Sequence, residues 1–229
     1  MGTSTITKNM FTALVATTDN IEWTTIGVSL RVAFFAMLWV MPVAFLLARY
    51  LSKVQNLWIR VLIESVAMLP LVLPPTAVGY GLLLIFGTSP MAFHFSGAVL
   101  AAAVVSFPLA LRSIRISLES IDPHLEESAA TLGASSWRIL KGITLPLAWP
   151  GLLSAAILVF VRSLGEFGAT MMFAGNLPGE TRTLSVALWT FLKEPGGETK
   201  AIYLLIFSIS FGFICMFLSE YSVRLFRRF

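Results

Sequence analysis

Few side chains in this sequence are equipped for chemistry, and most of them lie inside or beside apolar runs. Arg162 and Glu166 stand four positions apart in one such run, while Arg31, Glu64 and Glu220 fall within or near others. An ionisable group away from water needs a partner or a function, because burying a lone charge is costly. On a helix Arg162 and Glu166 share one face, so each can neutralise the other. Arg31, Glu64 and Glu220 sit near run ends, where long side chains reach the polar surface and anchor a helix. His94, His124 and the single Cys215 are scattered along the chain. They assemble into no disulfide framework, metal site or histidine-based triad. No Gly-x-x-x-x-Gly-Lys-Ser/Thr phosphate loop occurs in the sequence. The chain is therefore expected to be no enzyme and to hold neither a metal nor a cofactor of its own.

The elements carrying these residues come from composition. Of 229 residues, 57% are hydrophobic and 12% charged, with a mean hydropathy of +0.84. A soluble domain carries about 25% charged residues, so lipid is the natural solvent for this chain. Its net charge of +4 comes from Lys and Arg at the ends of apolar runs. Anionic lipid and topology explain that placement, and nucleic acid is not an expected partner. A spanning helix needs about 20 mainly apolar residues. Five stretches qualify: Thr24–Ala48, Val61–Phe86, Ser96–Leu111 with an extension to Leu118, Leu147–Ala174 and Ala201–Val223. Leu184–Leu192 is too short to span and reads as a surface or partly inserted helix. Met1–Asn20 shows no cleavable signal pattern. Residues 1–23 are expected to form an external tail, and 24–229 one all-α polytopic membrane domain.

Ten cations, from Arg49 through Lys141 to Arg228, fall on one side of the expected bilayer. Lys8, Arg182, Lys193 and Lys200, balanced by five acids, fall on the other. The charge rule then places the N-terminus outside and the C-terminus in the cytoplasm. Pro42 is expected to interrupt the first span, Pro108 the third, and Pro70, Pro74 and Pro75 the second. Each removes a backbone hydrogen bond that lipid cannot replace. The second span, with Pro74 and Pro75, is therefore the candidate lining of a polar path, and Arg162 and Glu166 the candidate gate charges. Gly97/Ala101 and Gly151/Ala155 are small-residue spacings suited to close helix contact.

Asp122–Pro150 is the most informative cytoplasmic stretch. Asp122-Pro123 is a helix start, and Gly133 can take the left-handed conformation that ends the helix near Leu132. Ser135 or Ser136 can cap a second short helix through Trp137–Lys141, with Pro146 stopping the hairpin where the fourth span begins. Leu125, Ala129 and Leu132 share one face, and Glu126 and Glu127 are expected to point elsewhere.

Glu127-Ser128-Ala129-Ala130-Thr131-Leu132-Gly133, nine residues, then Ile143-Thr144-Leu145-Pro146 resembles the coupling motif of ABC importer permeases. Ser128 stands where that motif has its first alanine. The resemblance implies the type I importer fold, with residues 122–146 forming coupling helices that seat in a cytoplasmic ATPase dimer. Glu127, Ser128, Ala129, Gly133, Ile143, Leu145 and Pro146 would make that contact, and ATP and Mg would lie on the ATPase chain. Leu69–Tyr80, Arg162–Thr170 and Pro178–Thr183 look like the molybdate importer permeases in particular. Sulfate and thiosulfate permeases share a Gly-Glu-Phe-Gly element, and tungstate closely resembles molybdate. A further implied partner is an external molybdate-binding protein; five spans are few to enclose a path, so a second copy around a two-fold axis is expected to close it. An ATP-independent channel or secondary transporter would leave the coupling motif unexplained.

Overall fold

The computed structural model describes residues 23–226, with side chains described to Tyr221. Residues 1–22 and the side chains of Arg224, Arg227 and Arg228 lie outside the described residues, and with them most of the expected tail. The described chain is helical: α1 (Trp23–Lys53), α2 (Leu57–Val72), α3 (Pro75–Phe86), α4 (Phe95–Glu119) and α5 (Pro123–Thr131) come first. Next come α6 (Ser136–Ile139), a π-helical turn Leu140–Thr144, α7 (Leu145–Leu164), α8 (Gly168–Phe173), α9 (Leu184–Lys193) and α10 (Glu198–Phe226). Helices α1, α4, α10 and the continuous rod Ser136–Leu164 are long and apolar enough to cross a membrane. The pair α2–α3, bent by 112°, is long and apolar enough only when its two helices are taken together, as a broken span or a re-entrant loop.

Helix α4 is the axis of the bundle. Its small residues let neighbours approach closely, and packing then comes from backbone-near van der Waals contact. Ala110, Leu111 and Ile114 pack with Ala44, Ala48 and Leu51 of α1 and with Ala148, Ala155 and Val159 of α7. Above them Ala101 and Val105 meet Val78 and Leu82 of α3 and Ala169 and Phe173 of α8. Gly151 is one reason α4 and α7 fit, because a Cβ there would lie 2.3 Å from the Ser117 side chain. Ser117 Oγ donates to the Ala148 carbonyl at 3.1 Å across the same contact. The Gly97 and Gly151 spacings thus serve packing inside the chain. By contrast α2 buries no residue at all.

Three expectations about proline need correction. Pro42, Pro70 and Pro108 lie inside unbroken helices, α1, α2 and α4. One missing N–H leaves a single carbonyl to satisfy, and the rest of each helix carries on. The break occurs only at Pro74-Pro75. There Leu73, as the residue before a proline, is driven extended (φ −70°, ψ 145°), and Pro74 continues in the same sense (φ −54°, ψ 133°). Pro75 then starts α3 at a position where no N–H is needed. The expected fourth span Leu147–Ala174 also ends early, at Leu164, and Gly165-Glu166-Phe167 turns the chain into α8.

Candidate functional site

The hairpin forms as its residues dictate at both caps. Asp122 Oδ1 accepts the His124 N–H at 3.0 Å, and Pro123 occupies the first turn. Gly133 ends α5 at φ +83°, with the Ala134 N–H on the Ala129 carbonyl at 3.0 Å. A side chain at that φ is disfavoured, so glycine is required there by backbone sterics. Ser135 Oγ accepts the Arg138 N–H and opens α6.

Beyond α6 the chain departs from expectation. Pro146 does not stop the hairpin, because α6 runs through the π-helical turn into α7 as one rod. Proline has no N–H and crowds the carbonyl four residues back. The wider turn, with the Leu145 N–H on the Leu140 carbonyl, absorbs both problems. The Leu125–Leu132 stripe faces away from the bundle. Leu125 and Leu132 are exposed, Leu132 at 90%, and Ala129 is half-buried. Glu126 points into the bundle. Arg49 at the end of α1 grips it with both guanidinium nitrogens, Nη1 to Oε1 at 2.8 Å and Nη2 to Oε2 at 3.3 Å. Thr144, fully buried in the π-helical turn, donates its hydroxyl to the same Oε1 at 2.5 Å. The Arg49 guanidinium, through these hydrogen bonds, holds the Glu126 carboxyl below the usual carboxylate range despite partial burial. Thr144 and nearby Lys53 act in the same direction. Glu127 stays exposed beside His124, and Trp137 is exposed with Lys141 over its ring at 4.7 Å.

The second constellation lies where the two helix breaks meet. Arg162 Nη1 pairs with Glu166 Oε2 at 2.7 Å, as the spacing implies. Neither is deep in a continuous helix, however: Arg162 is in the last turn of α7 and Glu166 is in the break. Glu166 Oε1 accepts the Ala169 N–H at 2.9 Å, so the carboxylate caps α8 as well. Its side chain is 2% exposed, whereas Arg162 keeps 30% open. The two breaks touch backbone to backbone. A Cβ at Gly168 would lie 3.0 Å from Pro75 Cβ, and one at Gly79 would lie 2.7 Å from Ala169 Cα. Pro75, Arg162 and Glu166 therefore share one locality, and the hairpin residues share another.

Two features escaped the sequence. One is the Arg49–Glu126–Thr144 junction, whose members stand 77 and 18 residues apart. The other is a charged quartet tying α2 to α4. Arg60 Nε pairs with Glu64 at 3.1 Å and Nη2 with Glu119 at 2.5 Å. Arg115 reaches Glu119 at 2.8 Å and also pairs with Glu64. The i, i+4 spacings of Arg60/Glu64 and Arg115/Glu119 held half of this quartet, but not its closure across helices. On the opposite end, the Asn176–Thr183 loop is ordered by its own side chains. Arg182 Nε donates to Asn176 Oδ1 at 2.7 Å, and Thr181 Oγ1 accepts the Leu177 N–H at 2.9 Å.

Fold and sites together define a polytopic helical membrane protein whose broken helices meet in its interior and whose capped hairpin projects from one end. The solved structure of the MetNI methionine ABC transporter in inward-facing conformations shares this fold, with a TM-score of 0.65 at 18% identity over 89% of this chain and 93% of that one. Residues 40–228 match the model of the binding-protein-dependent transport system inner membrane component family, and the chain belongs to that family. Among relatives, the molybdenum transport system permease protein ModB of Haemophilus influenzae is 45% identical over 213 residues, 87% of this chain and 93% of that protein. The Escherichia coli K12 protein of the same name is 44% identical over 219 residues, 90% and 95% of the two chains.

Proposed function

We propose that this chain is the permease subunit of an ATP-driven molybdate importer, spanning the inner membrane with its N-terminus outside and its C-terminus in the cytoplasm. The observation that carries this reading is the exposed, capped hairpin. Leu125, Glu127, Leu132 and Trp137 are each exposed on it, left uncovered by the chain's own bundle. A cytoplasmic ATPase dimer would seat there, with Glu127, Ser128, Ala129 and the Gly133 turn at the contact. Ile143, Leu145 and Pro146 shape the rod beyond it. ATP and Mg would be held by the ATPase alone. Identity of 44–45% to proteins called molybdenum transport permeases supports molybdate over sulfate as cargo.

Residues 24–229 would form the membrane domain, with residues 122–146 as its coupling segment and residues 1–23 as an external tail. The path would run past the junction of Pro74-Pro75 with the α7–α8 break, in a pair of chains related by a two-fold axis. A face such as that of α2, without a single buried residue, suits such a second copy. Arg162 offers the oxyanion a cation already half-neutralised by Glu166, which favours passage over tight holding. Selection would rest with an external binding protein docking near the ordered Asn176–Thr183 loop. ATP binding and substrate delivery would shift the balance between inward- and outward-facing states. The test is uptake of molybdate and sulfate by the chain reconstituted with its ATPase and binding protein. Arg162→Gln should slow uptake while leaving the preference between anions unchanged. A variant that loses the preference at full rate would show that the channel chooses the anion.

A further inference from the structure

We infer that Glu126 is a positioning residue that ties the hairpin to two membrane-crossing helices at once, so that hairpin motion is passed to the bundle through Arg49 and Thr144. The inference rests on the proposed coupling role of the hairpin. Helix α5 buries no residue, so apolar packing alone gives it a weak hold on the bundle. Its firm attachment is one carboxylate, which accepts the Arg49 fork from α1 and the Thr144 hydroxyl from the start of the rod. Both oxygens are thereby engaged, and a bidentate Arg–carboxylate pair resists rotation as well as separation. A methyl group such as that of Ala129 on the same helix can slide where a fork cannot.

The π-helical turn gives this junction its geometry. Inserting one extra residue into the turn rotates everything before it relative to α7. Thr144 is the last residue of that turn and is fully buried with its hydroxyl on Glu126 Oε1. Pro146, two residues on, disfavours an ordinary α-turn at this point because it lacks an N–H and crowds the preceding turn. The Ile143–Pro146 element therefore acts through Thr144, fixing the angle between hairpin and rod. Glu127, one residue along, faces outward and is left for the partner. Adjacent acids thus divide the work, one gripping the bundle and one facing the ATPase.

The full complex with the cognate ATPase and binding protein, in liposomes, tests this by the number of ATP molecules hydrolysed per molybdate carried. Glu126→Gln and the near-isosteric Thr144→Val should each raise that ratio fivefold or more. ATPase co-purified with the chain should stay within twofold of wild type. The double variant should be no worse than Glu126→Gln alone, because both changes break one junction. An unchanged ratio in both single variants would overturn the inference. So would loss of bound ATPase in step with lost transport, which is the mark of a merely structural contact. If Glu126→Gln fails to assemble, Thr144→Val decides by the same ratio. A wild-type chain that holds no ATPase would instead overturn the importer reading itself, before any variant is compared.

Discussion

Gly79 offers a quantitative check on the contact between the two helix breaks. An alanine there would place its Cβ 2.7 Å from both Cα and O of Ala169 and 2.8 Å from Met172 Cβ. Carbon atoms rest comfortably at about 3.5–4.0 Å, so α3 and α8 would have to separate by roughly 1 Å at this point. Two of the three opposing atoms are backbone, and no side-chain rotation relieves them. Overpacking of this kind costs about 1–3 kcal/mol. Alanine also favours a helix over glycine by about 0.8–1.0 kcal/mol, so the net loss for Gly79→Ala is about 0–2 kcal/mol by those two figures. Gly81, on the same helix, has nothing within 4 Å of its ideal Cβ. Gly81→Ala should therefore gain the helix term alone. The two variants are expected to differ by about 1–3 kcal/mol, read as denaturant or thermal unfolding in one detergent. Transport should also fall in Gly79→Ala and not in Gly81→Ala. Equal stability of the two variants would refute the backbone-to-backbone contact.

Gly133→Val places a β-branched side chain at φ +83° in open space, so it should cost about 1–2 kcal/mol and reduce co-purified ATPase while the membrane helices stay folded. The Glu126 carboxyl titrates below its ordinary range. Its contribution to holding the hairpin should thus be present at neutral pH and be lost as pH falls through that lowered value. Proteolytic nicking or hydrogen exchange of residues 122–135 should rise at that pH in the wild type, and Glu126→Gln should show the raised level already at neutral pH. With the half-buried Cys215 replaced by alanine, Leu132→Cys should react with an impermeant thiol reagent only from the cytoplasm, and Glu194→Cys only from outside. Labelling of both from one side would overturn the proposed orientation.

The sequence by itself determined the solvent of this protein and its helical class. Too few charged residues are present to coat a soluble surface, and apolar runs of spanning length leave helices as the way to satisfy their backbone. It also determined the local stops and starts of the hairpin, because an Asp122-Pro123 cap and a left-handed Gly133 act within a few residues of themselves. The Arg162–Glu166 pair was legible for the same reason, being an i, i+4 spacing. Local rules applied to each proline singly do not separate those that break a helix from those that do not. Pro42, Pro74 and Pro108 lack the same N–H, yet only the doubled proline, with an extended Leu73 ahead of it, turns the chain by 112°. Tertiary structure decided which way Glu126 and Glu127 face. Helical spacing places both off the Leu125–Leu132 stripe, and only the arrival of Arg49 and Thr144 from distant positions draws one of them inward. A contact between residues 77 apart has no local signature, since its geometry exists only once α1 and the rod have packed against α4.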